Sequence, residues 1–170
     1  MIGRSIPVPG GVISSPDTQA AIWFLGVLSQ VRLSGEQTGG AFSLADNLAR
    51  RGTASPVHVH DRDDETFLVL DGELRVVAGE DDYTAGPGTA AFLPRRLRHA
   101  YVVTSATARF LVLHAPAGFE QFAAEVGQPP GTASPSWPRR PSPRSGRLLT
   151  RWARFDRAGA GVDLDLIRLG

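Results

Sequence analysis

The sequence predicts an all-β domain, a sandwich or barrel of short strands, and three observations carry that expectation. Short apolar runs recur from Ala20 to His114 and are separated by Gly, Pro, Asp and Ser at the density typical of such folds. TFLVL and ELRVVA, two strand-like runs, flank Asp71-Gly72, a dipeptide favoured in two-residue hairpins. At 170 residues, 42% hydrophobic and 21% charged, the chain suits one globular domain with a full core.

Taken in order, residues 1–19 are rich in Pro, Gly and Ser and read as an N-terminal arm, either wrapping the domain or mobile. Ala20–Leu33 reads as one or two strands, with a helix as the alternative, and Gly35–Gly40 as a turn in which Glu36 and Thr38 are structural. A short strand follows at Ala41–Ala45, and Asn47–Pro56 leads to the stretch that holds His58 and His60. Pairing outward from the Asp71-Gly72 turn puts Glu65, Phe67, Val69, Leu74, Val76 and Ala78 on one inward face. The opposite face bears Leu68 and Leu70, too apolar for full exposure, which calls for a covering segment or a partner copy.

Gly79–Gly88 is turn-rich, and Thr89–Leu93, His99–Thr104 and Arg109–His114 are three further strands. Phe119–Val126 reads as a short helix. The stretch 127–147 holds six prolines and four arginines, so 128–147 is expected to be a linker, and Leu148–Phe155 a last helix within a C-terminal segment 148–170. No internal repeat is visible.

Several function classes are disfavoured at once. A net charge of +1 creates no field that would gather nucleic acid or an anionic membrane, and the tail arginines are diluted by Asp156, Asp163 and Asp165 without interleaved aromatics. The absence of cysteine removes disulfides, thiolate ligands and a thiol nucleophile, and fits a cytoplasmic location. All 18 basic residues are arginine, so no lysine is present to form a Schiff base. MIGRSIPVPGG lacks the apolar stretch of a secretion signal, and the longest apolar run, Ala20–Leu28, is too short to cross a bilayer. Gly86-Pro87-Gly88-Thr89-Ala90-Ala91 fits the glycine pattern of a dinucleotide loop only formally, because a proline interrupts it and no helix pattern follows.

What remains is a cluster of metal-ligand residue types. His58 and His60, two apart on a strand, point the same way, and Glu65 rejoins that face if the turn-type run Asp61-Arg62-Asp63-Asp64 resets the alternation. Three imidazoles, His99 being the third, and one carboxylate suit a divalent transition ion: Fe, Mn, Co, Ni, Cu or Zn. Tyr101 shares the face of His99 and can contact or protonate a substrate, or simply fill the interior. Phe42, Phe67, Val69, Phe92 and Phe110 are candidate pocket residues, with plain core as the alternative. His114 reads as a rim or core residue, and Arg95, Arg96 and Arg98 as a solvated loop rather than an anion clamp.

The spacing Gly52, five residues, His58-x-His60, four residues, Glu65, six residues, Gly72 resembles the first motif of the cupin superfamily. Gly88, five residues, Pro94, four residues, His99 resembles the second, with Arg96 where the family has glycine and Val103 where it has asparagine. GEQTGGAFSL (35–44), TAGPGTAAFLP (84–94) and APAGFEQFAAEVG (115–127) are similar to small single-domain cupins of the quercetin 2,3-dioxygenase type. The resemblance covers about residues 20–127 and implies a double-stranded β-helix, or jelly-roll barrel, with short C-terminal helices, in a homodimer. It further implies a metal on His58, His60, Glu65 and His99, with dioxygen adding to a small enolisable or phenolic substrate. Glu65 then doubles as general base, which requires burial to raise its pKa. A metal-dependent cyclase or isomerase, and a binding cupin without turnover, are the alternatives.

Overall fold

The computed structural model describes residues 6–8, 10–130 and 167–169, and every statement of structure below concerns those residues. The strands are β1 (Ile6–Val8), β2 (Gly11–Ile13), β3 (Ala21–Phe24), β4 (Val27–Leu33), β5 (Ser43–Arg50), β6 (His58–His60) and β7 (Asp64–Asp71). They continue with β8 (Leu74–Ala78), β9 (Asp81–Ala85), β10 (Ala90–Leu93), β11 (His99–Val103), β12 (Thr107–Ala115) and β13 (Ile167–Leu169). Two short helices interrupt them, α1 (Gly35–Thr38) and α2 (Phe119–Val126). The result is a mostly β domain with two short helices.

A six-stranded sheet runs β10-β7-β12-β5-β4-β3 and a five-stranded sheet β13-β6-β11-β8-β9, while β1 and β2 pair with each other. Neighbours are antiparallel except β13, which lies parallel to β6 with Ile167 opposite His58. Both sheets feed one core. Phe67, Val69, Ala108, Phe110 and Val112 from the first meet Leu74, Val76, Ala85 and Val103 from the second. The inward face expected for Glu65, Phe67, Val69, Leu74 and Val76 is buried as the alternation requires, with Ala78 partly so.

The hairpin expected at Asp71-Gly72 does not form, because β7 and β8 belong to different sheets and the turn carries the chain from one to the other. Gly72 makes this possible: its φ is +76°, and its Cα passes so close to Thr107 and Ala108 that a Cβ would stand 2.2 Å from the Thr107 carbonyl oxygen. The inward face survives the error because alternation along a strand does not depend on which strand pairs with it. The Ala20–Leu33 stretch resolves into two strands, since Leu25 and Gly26 both adopt positive φ (49° and 82°) in a two-residue hairpin that pairs Phe24 with Val27.

The turn expected at Gly35–Gly40 is one helical turn closed by a capping box between Ser34 and Gln37. Within the stretch read as turn-rich, β9 is an additional strand. Asp81 to Thr84 are exposed and show no apolar alternation, so only edge pairing with β8 and the Arg75–Asp82 ion pair mark it. The helix at Phe119–Val126 forms over the expected span. Most of the proline- and arginine-rich stretch and the helix expected at Leu148–Phe155 lie outside the described residues. Leu68 and Leu70 are 36% and 39% exposed, and Leu70 shares an outer groove with Val12 and Ile13 of β2. No described helix is long and apolar enough to cross a membrane.

Candidate metal centre

His58 and His60 lie on β6, and β11 pairs with β6 through a His99–His58 match, so backbone register alone brings three imidazoles together across two strands. Glu65 arrives from the other sheet on β7, after the run Asp61–Asp63 has turned the chain. All four residues are buried, and one ligand atom from each lies within 4.8 Å of the others. His58 Nε2 is 3.2 Å from His60 Nε2, and Glu65 Oε2 lies 2.7 Å from His99 Nε2, 3.4 Å from His60 Nε2 and 3.9 Å from His58 Nε2.

The outer nitrogens explain which way the rings face. His58 Nδ1 donates to the Pro56 carbonyl at 2.8 Å and His99 Nδ1 to the Leu97 carbonyl at 2.9 Å, while His60 Nδ1 faces Asp63 Oδ2 at 3.2 Å. With their protons on Nδ1, all three rings turn an Nε2 lone pair toward the centre and toward a carboxylate oxygen that can only accept. Lone pairs gathered this closely repel one another unless a cation sits among them. The donor set therefore fits a divalent ion, and His58, His60, Glu65 and His99 form a cluster capable of holding one.

In the metal-free protein a proton partly fills that electrostatic role. Burial disfavours the charged form of His60, but Asp63 and Glu65 outweigh it and raise its pKa to about 9. Burial, reinforced by His99, lowers His58 to about 4. Glu65 contradicts the expectation of a raised pKa: burial does push it up, yet the surrounding imidazoles of His114, His60 and His99 win and hold it well below the ordinary carboxylate range. It stays an anion, the form a metal ligand requires.

A pH dependence follows. The stability that His60 contributes is complete below its unfolded pKa of about 6.5 and disappears as pH rises through about 9. His58 acts on the acid side, where stability falls between about 6.5 and about 4 as the unfolded chain takes up a proton first. Metal must displace the His60 proton, so uptake at pH 7 is expected to release about one proton per ion, and affinity to rise about tenfold per pH unit up to pH ~9. Calorimetry in buffers of different ionisation enthalpy measures both.

The other expected site residues divide. Tyr101 packs edge-to-face against Phe67 (5.5 Å between centroids) and Phe110 (5.3 Å), and burial together with the Glu65 charge raises its pKa above the usual range. Phe67, Val69 and Phe110 are almost fully buried in the core that surrounds this ring. Phe92 is not in that pocket. It pairs with Thr66 on the outward-facing register of β10 and is 63% exposed. Phe42 is half-buried before β5, its backbone held by the Thr38 hydroxyl. Arg95 is engaged by Asp64 at 2.8 Å, and Arg96 adopts φ +68°, the left-handed conformation that glycine would take most readily.

The sequence does not single out Asp63, and His114, expected at the rim or in the core, lies in the core. His114 is 2% exposed, directly opposite Glu65 in the β12–β7 register, with Nδ1 2.7 Å from Asp63 Oδ2 and Nε2 3.5 Å from Glu65 Oε1. The alternation of Phe110, Val112 and His114 on β12 was a usable sign that His114 faces inward. Nothing in the sequence singles out Asp63 from Asp61 and Asp64.

Comparison with known proteins agrees with this geometry. Residues 48–114 match the family model described as the cupin domain. Quercetin 2,3-dioxygenase from Bacillus subtilis (strain 168) is 31% identical over 84 residues, which are 49% of this chain and 25% of that protein, so the chain spans about a quarter of this curated relative's length. Among solved structures, an RmlC-like cupin from Shewanella frigidimarina superposes with a TM-score of 0.55 at 19% identity, covering 64% of this chain and 94% of the other. A predicted oxalate decarboxylase from Thermotoga maritima gives 0.55 at 18% identity, covering 61% and 98%. These two likenesses concern the fold.

Proposed function

We propose that this chain, whose residues 48–114 match the cupin domain, is a cupin and a metal-dependent oxygenase acting on a small phenolic or enolisable compound. The observation that carries the reading is the convergence of three Nε2 atoms and Glu65 Oε2 in a buried site. The partial match to a quercetin 2,3-dioxygenase supports the choice of substrate class.

His58, His60, Glu65 and His99 hold the ion, which supplies, when bound, a Lewis-acid centre and, for a redox-active metal, a route for electrons. The carboxylate of Glu65 lowers the charge of the site. Tyr101 keeps its proton at any working pH and serves as hydrogen-bond donor to a substrate oxygen. Phe67, Val69 and Phe110 exclude water and fix the tyrosine ring.

Oxygen uptake tests the proposal. Protein loaded in turn with Fe, Mn, Co, Ni and Cu is mixed with a flavonol such as quercetin in an oxygen electrode. Consumption well above the chelated control, abolished by His99→Ala, is expected. Product formed at equal rate without oxygen would replace oxygenation with isomerisation or cyclisation, and tight binding without product would reduce the protein to a binding cupin.

A further inference from the structure

Behind the four converging residues lies a second layer. Asp63 Oδ2 is shared by two ring nitrogens, His60 Nδ1 at 3.2 Å and His114 Nδ1 at 2.7 Å. A carboxylate accepts only, so both nitrogens carry the hydrogen, and the His60 ring is thereby set with Nε2 free toward the centre. The other nitrogen of His114 is buried, has no hydrogen-bond partner, and stands 3.5 Å from Glu65 Oε1, the carboxylate oxygen on the far side from His99. The His114 ring is in turn stacked on Phe119 of α2, with centroids 4.3 Å apart and planes at 15°. Phe119 packs edge-on against Phe24, fixing the helix to β3.

We infer that Asp63 and His114 are positioning residues for the metal centre: Asp63 sets the ring of His60, and His114, braced by Phe119, holds Asp63 in place and flanks Glu65. Two of the four ligands, one from each sheet, are thus governed by one outer pair. The inference rests on the metal reading above. It assigns to α2 a task in the site, since the helix reaches the centre through Phe119 and His114 rather than through a ligand.

Cobalt(II) alone is the probe. Its affinity is measured by chelator competition and its ligand field by visible absorption, for the full chain and for Asp63→Asn, His114→Phe, His114→Gln and the Asp63→Asn/His114→Phe double variant. Asn keeps the shape of Asp63 but removes its charge, leaving a neutral, weaker acceptor for the two rings, and Phe keeps the stack on Phe119 without the nitrogens.

Asp63→Asn is expected to weaken cobalt binding about 10- to 100-fold with a shifted visible spectrum, the loss typical of a ligand's hydrogen-bond partner. His114→Phe should lose about tenfold, His114→Gln part of that, and the double variant no more than Asp63→Asn, because both act through one chain of contacts. Wild-type affinity and spectrum in Asp63→Asn and His114→Gln, or losses that simply add, would overturn the inference while leaving the four-ligand centre intact. A wild-type chain that takes no cobalt would remove the metal reading and this inference together.

Discussion

Glu65→Gln is expected to weaken metal binding by at least about 100-fold while leaving the domain folded, since removing the one anionic ligand should exceed the 10- to 100-fold loss seen on removing an outer partner. The substitution retains volume and an oxygen, so packing against the histidines changes little. What disappears is the charge. Glu65 Oε2 is the atom on which His99, His60 and His58 converge, at 2.7, 3.4 and 3.9 Å, and a neutral amide cannot offset a divalent cation held among imidazoles.

A second readout comes from linkage. Metal at a hundred times its dissociation constant stabilises the native state by about 2.7 kcal/mol. Chelator should therefore lower the unfolding temperature of the wild-type chain and leave that of Glu65→Gln unmoved. Retention of wild-type affinity by the glutamine variant would show that the carboxylate is not a ligand.

Gly72→Ala should be the most damaging single methyl in the domain. A Cβ at that position stands 2.2 Å from the Thr107 carbonyl oxygen, 2.6 Å from Ser105 Oγ and 2.8 Å from Ala108 Cα, on a backbone with φ +76°. Left-handed φ alone costs a non-glycine residue about 1–2 kcal/mol, and overpacking against backbone adds about 1–3 kcal/mol. The expected loss is about 3 kcal/mol, or roughly 10 °C in melting temperature for a chain of this size. Gly88→Ala is the internal control, because Gly88 has φ +85° with nothing within 4 Å of the built Cβ. It carries the conformational cost without the collision, so thermal unfolding should place Gly72→Ala well below Gly88→Ala. Equal losses in the two variants would mean that the crossing between the sheets tolerates a side chain.

The sequence reveals the inward faces of β7, β8 and β11 because period-two alternation is a local property, and it reveals His58, His60, Glu65 and His99 because their spacing is that of a family motif. It conceals the partner of each strand. Asp71-Gly72 is as suitable for crossing between sheets as for a hairpin, and only the tertiary approach of Thr107 decides between them. The raised pKa expected of Glu65 failed for a related reason: burial was foreseeable from the pattern, whereas the imidazole of His114, contributed by a strand 49 residues later, was not counted with it. Phe92 was misplaced because AAFLP offers two registers, and pairing with β7 selects the one that turns Phe92 out and Leu93 in. Asp63 gains its role only from the fold, where it bridges one ring on β6 and another on β12.

The most direct measurement is metal content per chain by elemental analysis, on protein purified without chelator, beside a His60→Ala/His99→Ala variant. The expected result is close to one Fe, Mn, Co, Ni, Cu or Zn per wild-type chain and a trace in the variant. A wild-type chain that stays empty after reconstitution with each of these ions, or a variant that holds as much metal as the wild type, would contradict the assignment of His58, His60, Glu65 and His99 as a metal centre.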